Sequence, residues 1–300
     1  NKNLEFPSGS VDSGDSLSIL SVNYRGDILG TSGWKFLAGL KDWSLNQDFF
    51  SSLNEYLSDH SRNIHISKLI NWWDFEGTVQ YEAEYQTFDG DKSYFNINGD
   101  PTVHHIADME RNTDALAFVT RWSADADHPN IDFINWELSY RMDQIETFQN
   151  EHYEFPLLVT EGQPIIYDVP QSRELKHVSS KRLGIHLEGR GEKTWYSIFV
   201  NQGNNQRLPT LADLFRFSNT ETDSLLDSLL SSEYLNTTEL NLQLRISNPQ
   251  TELPIDEVSL GLDVFMNGYT DKIAYRVFEG TPAIPFNEPV AEIRGVEAMV

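Results

Sequence analysis

His104-His105, followed by Asp108, Glu110 and Arg111, is the densest group of ligand-type side chains in the chain. Imidazole beside carboxylate can bind a metal ion or exchange protons, so these residues are the metal or acid–base candidates. Their spacing is neither His-x-His nor His-Glu-x-x-His, and a polar loop after Asn98-Gly99-Asp100-Pro101 is the reading their neighbours favour. Asp89-Gly90-Asp91, with Asn96, Asn98 and Asp100 behind it, is oxygen-rich enough for a structural calcium ion. The alternate carboxylates and closing Glu of an EF-hand loop do not fall in place, so Asp89-Gly90 reads first as a hairpin turn. Trp43, Trp72-Trp73, Trp122, Trp136 and Trp195 could form a platform for sugar rings, although Trp136 and Trp195 sit in alternating segments where sheet packing is the default. Arg25-Gly26-Asp27 and Arg190-Gly191-Glu192 read as equivalent turns rather than adhesion signals. The chain has no cysteine, which excludes thiolate zinc sites and cysteine nucleophiles. With no phosphate loop, nucleophile elbow or dinucleotide fingerprint, no catalytic or cofactor-binding residue is assigned.

The elements that must position these residues are strands. Leu183, Ile185 and Leu187 alternate with polar residues; so do Tyr196, Ile198 and Val200, and then Leu240, Leu242, Leu244 and Ile246, which are expected to face a core. A Leu-rich segment from Leu208 to Leu230 suits one or two short helices. The same order of parts runs earlier, from Leu17 to Tyr24, through Trp34 and Phe36, a helix from Phe49 to Leu57 capped by Asp48, and a strand at Ile64 and Ile66. This duplication predicts an all-β chain of two jelly-roll-like β-sandwiches in tandem, each with a short helical insertion. The units are an N-terminal arm at 1–16, a first sandwich at 17–155, and a second at 156–300 with a Pro-rich C-terminal tail.

The 46 acidic and 22 basic residues give a formal charge of -24, which opposes phosphate and anionic lipid and argues against direct nucleic-acid binding. No apolar run reaches 18 residues, so no membrane span is expected. The absence of Met at residue 1 fits a removed leader or a trimmed chain.

The segment Ile198-Phe199-Val200-Asn201-Gln202-Gly203, followed by Thr210-Leu211-Ala212-Asp213-Leu214, resembles the strand, Gly turn and Leu-bearing helix of the double-jelly-roll major capsid proteins of membrane-containing icosahedral viruses. The resemblance is one of layout over the whole chain. It implies a structural protein of the virion, self-associating as homotrimers that form pseudo-hexagonal capsomers, with no catalytic residues. The second expectation is a secreted, extracellular carbohydrate-active β-sandwich, either a polysaccharide-binding module or a polysaccharide lyase, with His104, His105 and Arg111 as its polar cluster.

Overall fold

The computed structural model describes residues 2–6, 9–28, 31–49, 53–73, 75–96, 98–128, 130–160, 163–168, 171–217, 230–247, 257–277 and 283–300. Its strands are β1 (Lys2–Phe6), β2 (Gly9–Ile28), β3 (Thr31–Phe49), β4 (Leu53–Trp72), β5 (Phe75–Phe95), β6 (Pro101–His128), β7 (Ile131–Thr160), β8 (Gln163–Asp168), β9 (Ser172–Arg190), β10 (Thr194–Arg207), β11 (Glu233–Ser247), β12 (Glu257–Arg276) and β13 (Ile284–Met299). Among the described residues there is one helix, α1 (Leu211–Phe217), between β10 and β11. The chain is all-β, as its alternation indicates.

The tandem jelly rolls are not formed. All thirteen strands join one antiparallel sheet in chain order, with β8 alone off the path, beside β7. A jelly roll needs successive strands to cross between facing sheets. Here each long strand runs antiparallel beside its predecessor, with Trp72 opposite Phe75, His128 opposite Ile131 and Arg190 opposite Trp195 at one end of the sheet, which makes hairpins. The boundary drawn at 155/156 falls inside β7. Alternation identifies a strand but does not name its partner.

Two local expectations also change. Phe49 closes β3 and Leu53 opens β4, where Leu53, Glu55 and Leu57 are buried on one face at period two rather than on a helix. The side chain of Asp48 lies outside the described residues. Asp89-Gly90 is not a turn but mid-strand in β5, opposite Ser58 and Leu57 of β4. Of the Leu-rich segment 208–230, the part from Leu211 to Phe217 is helical, and residues 218–229 lie outside the described residues.

Residues that pair across neighbouring strands share a face of the sheet. One such row runs Trp72, Phe75, Trp122, Trp136, Ile185, Val200, Leu240, Val264, Val296. The row one residue away along β6 lies on the opposite face and runs Arg121, Glu137, Gly184, Asn201, Glu239, Phe265. The sheet therefore has an apolar face and a polar face over most of its width.

The polar face is concave. Arg216 of α1 binds Glu55 on β4, while Asp213 of the same helix accepts a hydrogen bond from Tyr275 on β12. Those strands are seven steps apart in the sheet, about 34 Å if it were flat, whereas α1 is about 10 Å long. Even with both side chains extended, one helix reaches both walls only if the sheet curls around it.

Candidate functional site

On the convex face, Trp136, Ile185, Val200 and Val296 are 43%, 48%, 42% and 68% exposed. A soluble protein does not leave a continuous apolar row of this width to water. The apolar residues also stop at a definite height. On β7 they run from Ile134 to Met142 before Gln144 and Glu146, and on β5 from Phe75 to Tyr85 before Thr87 and Asp89. These runs are about 27 and 34 Å along their strands. A tilt of about 40° brings the longer one to about 26 Å, the height of the apolar band on a transmembrane barrel. At the hairpin end the band closes in aromatic rings: Trp72 and Trp73 with centroids 5.6 Å apart, Phe75 and Trp122 at 6.4 Å, Trp122 and Trp136 at 5.8 Å. Within the band on β4, Lys68 donates to the carbonyl of Ser32 and sits 5.1 Å over Trp34, while Arg62 lies at the rim opposite Tyr85.

The concave face is a connected polar surface. Arg182 Nε donates to Asn201 Oδ1 at 2.8 Å, and Asn201 Nδ2 donates to Glu239 Oε2 at 2.9 Å. Ser197 Oγ and His186 Nε2 are 2.8 Å apart, and Trp195 Nε1 donates to Glu188 at 2.7 Å. His186, Ser197, Phe199, Asn241, Asp263 and Phe265 line a cleft of 680 Å³ in this wall. It offers aromatic edges and paired polar groups.

Beyond the band the strands continue, and there the concave wall carries α1. Thr210 N donates to Asp213 Oδ2 at 2.9 Å and Asp213 N to Thr210 Oγ1 at 3.0 Å, a reciprocal cap that starts the helix. Leu211 and Phe215 then bury against Leu57, Phe88, Ala107 and Met109. Around this apolar patch lie buried charges. Arg216 donates to both oxygens of Glu55, at 3.2 and 2.6 Å, and Lys92 Nζ is 3.7 Å from the same carboxylate. Burial pulls Lys92 down to about 8 against the opposing pull of Glu55. His105 Nε2 donates to Glu151 at 2.8 Å, its ring stacked on Tyr153 at 4.4 Å, and burial holds its pKa below the usual value.

The sequence candidates are separated by the pleat. His105 is buried on the concave face, whereas His104, Asp108 and Glu110 stand on the convex side of β6, and Arg111 turns back inward to donate to Thr147 at 3.2 Å. Among the described residues no group of three or more His, Asp or Glu is placed to hold a metal. Asp89 and Asp91 point away from Gly90 and Lys92. Glu55, Lys92, Glu151 and Arg216 were missed. Their one signal is a charge at the same parity as buried apolar residues, as in Leu53-Glu55-Leu57.

No protein-family model matches the chain, and no curated protein matches it. Among solved structures it is similar to the ferric yersiniabactin uptake receptor FyuA from Yersinia pestis, with a TM-score of 0.54 and 11% identity over 96% of this chain and 40% of that one. The RagAB peptide importer (TM-score 0.45, 8% identity, 96% of this chain and 44% of that one) and the copper transporter OprC (0.43, 12%, 96% and 50%) are less similar. At 11% identity the likeness to the receptor is one of fold, and the chain spans about 40% of its length.

These findings correct the functional expectations. The fold is a single antiparallel sheet similar to that of the uptake receptor, not that of a double-jelly-roll capsid protein or a carbohydrate-active sandwich, so the expectations of a virion or extracellular location and of a homotrimer fall with it. Long apolar runs mark only helical membrane spans, whereas a β-strand crosses with about ten alternating residues. No described helix is long and apolar enough to cross, which says nothing of strands.

Proposed function

We propose that this chain forms wall of an outer-membrane β-barrel, with its convex apolar band against lipid and its concave polar face lining a water-filled passage for uptake of an external ligand. The observation that carries this reading is the pair of adjacent rows on opposite faces, apolar from Trp72 to Val296 and largely polar from Arg121 to Glu239, repeated over the band. In hydrocarbon every backbone group must be paired, so the reading requires that the outer edge of β13, which pairs only with β12 among the described residues, be met by another strand. The uptake activity is that of the protein in which this wall works. The hairpin end, where strand ends pair closely as Trp72 does with Phe75 and where the aromatic ring lies, faces the periplasm; the strand extensions and α1 stand outside.

Tryptophan quenching tests the reading. In lipid vesicles, a variant retaining only Trp136 is expected to be quenched by brominated acyl chains and shielded from aqueous iodide. One retaining only Trp195, on the concave face, is expected to show the reverse. Equal quenching of both by iodide would count against a lipid-facing band.

A further inference from the structure

The recess that holds Phe215 is shaped for an aromatic ring. The ring lies over Gly90, where a Cβ would come within 2.8 Å of it. It stacks on His105 at 4.7 Å, meets Phe88 at 5.7 Å, and has Lys92 Nζ 4.8 Å from its centre. The next residue, Arg216, places its guanidinium on the fully buried Glu55. We propose that this slot is a binding site for an aromatic ring carrying a neighbouring cation, and that Phe215-Arg216 is a tethered occupant which such a ligand displaces.

Three observations favour an exchangeable occupant over a fixed piece of wall. The slot is made by β4, β5 and β6, and its members are held without α1: His105 by Glu151 and Tyr153, Lys92 by Glu55. The recess is therefore preorganised. The occupant is a seven-residue helix, too short to persist by itself, and lifting it leaves every strand pair of β10 and β11 intact. Finally, the slot selects by charge. With Arg216 gone, a buried carboxylate loses its bidentate partner, so a ring that brings a cation restores what a neutral or anionic ring cannot.

A tethered occupant competes at an effective concentration in the millimolar range, which masks the site in the parent chain. The test uses N-acetyl-phenylalanyl-arginine amide and the full chain in detergent, and does not depend on which face meets lipid. The double variant Phe215→Ala/Arg216→Ala is expected to bind this dipeptide about tenfold or more tighter than the parent. Adding Glu55→Gln should weaken that binding about tenfold, and N-acetyl-phenylalanyl-glutamate amide should not bind. Equal affinity of parent and variant, or of the two dipeptides, overturns the proposal. Should the double variant not fold, Leu211→Cys in the otherwise cysteine-free chain reads the same event. Its maleimide labelling should rise saturably with the arginine dipeptide, and an unchanged rate overturns the proposal.

Discussion

Arg216 and Glu55 lie 161 positions apart and meet through two charge-assisted hydrogen bonds, the shorter 2.6 Å, with the carboxylate wholly removed from water. This contact fastens α1, which follows β10, to a strand five places from β10 in the sheet. Removing one partner of a buried pair costs about 3–5 kcal/mol because the other stays buried and under-paired. Arg216→Ala should therefore lower the opening free energy of α1 by about 3 kcal/mol, seen as hydrogen exchange of the Leu214 amide more than about a hundredfold faster, while strand amides of β6 and β7 stay protected. Unchanged exchange at Leu214 would mean that the apolar patch alone holds the helix.

The cap of α1 gives a smaller, separate effect. Thr210→Ala removes the oxygen that accepts the Asp213 amide, a loss of about 1 kcal/mol. Asp213→Ala should cost more, because Asp213 also accepts from Tyr275 and pairs with Arg207. The two variants compared by the same exchange measurement should keep that order.

A charge on the convex band should obstruct assembly where the same charge on the concave wall does not. Leu138→Lys places an ammonium in the middle of the apolar band on β7 and is expected to cost about 2–4 kcal/mol on folding into vesicles. Gln80→Lys, on the concave face of β5, should stay within about 1 kcal/mol. Equal costs in a urea titration would contradict the assignment of faces.

His105, beyond the band, contributes a pH dependence of known sign. Its folded pKa lies below its usual value, chiefly through burial, whereas the unfolded imidazole takes up a proton below about pH 6.5. The stability it contributes is thus complete above that pH and is lost as pH falls through the folded pKa. Urea midpoints of the parent and of His105→Gln should differ by a constant amount above about pH 7, and the parent's advantage should shrink on acidification. An advantage that grows in acid would reverse the sign.

The strands were legible in the sequence, and their meaning was not. Leu240, Leu242, Leu244 and Ile246 do alternate against Asn241, Gln243 and Arg245, yet the apolar set is half-exposed on the convex face rather than buried. Period two reports that two faces differ; it does not say whether the apolar side meets a protein core or lipid. The first-half helix failed for a related reason, since Leu53 and Leu57 fit a spacing of four and a spacing of two equally well. His104 and His105 looked like one cluster because adjacency in sequence is opposition on a strand. The charged pin at α1 depends on a curl of the whole sheet, which no local pattern announces.

The central claim is that alternate residues of the band meet lipid and water, and a cysteine scan of residues 136–143 on β7 tests it most directly, the chain having no native cysteine. Each single-cysteine protein, folded into vesicles, is treated with a membrane-impermeant maleimide added on both sides. Labelling is expected at Glu137, Ser139, Arg141 and Asp143, with Trp136, Leu138, Tyr140 and Met142 protected. Labelling of both sets at similar rates would contradict the account.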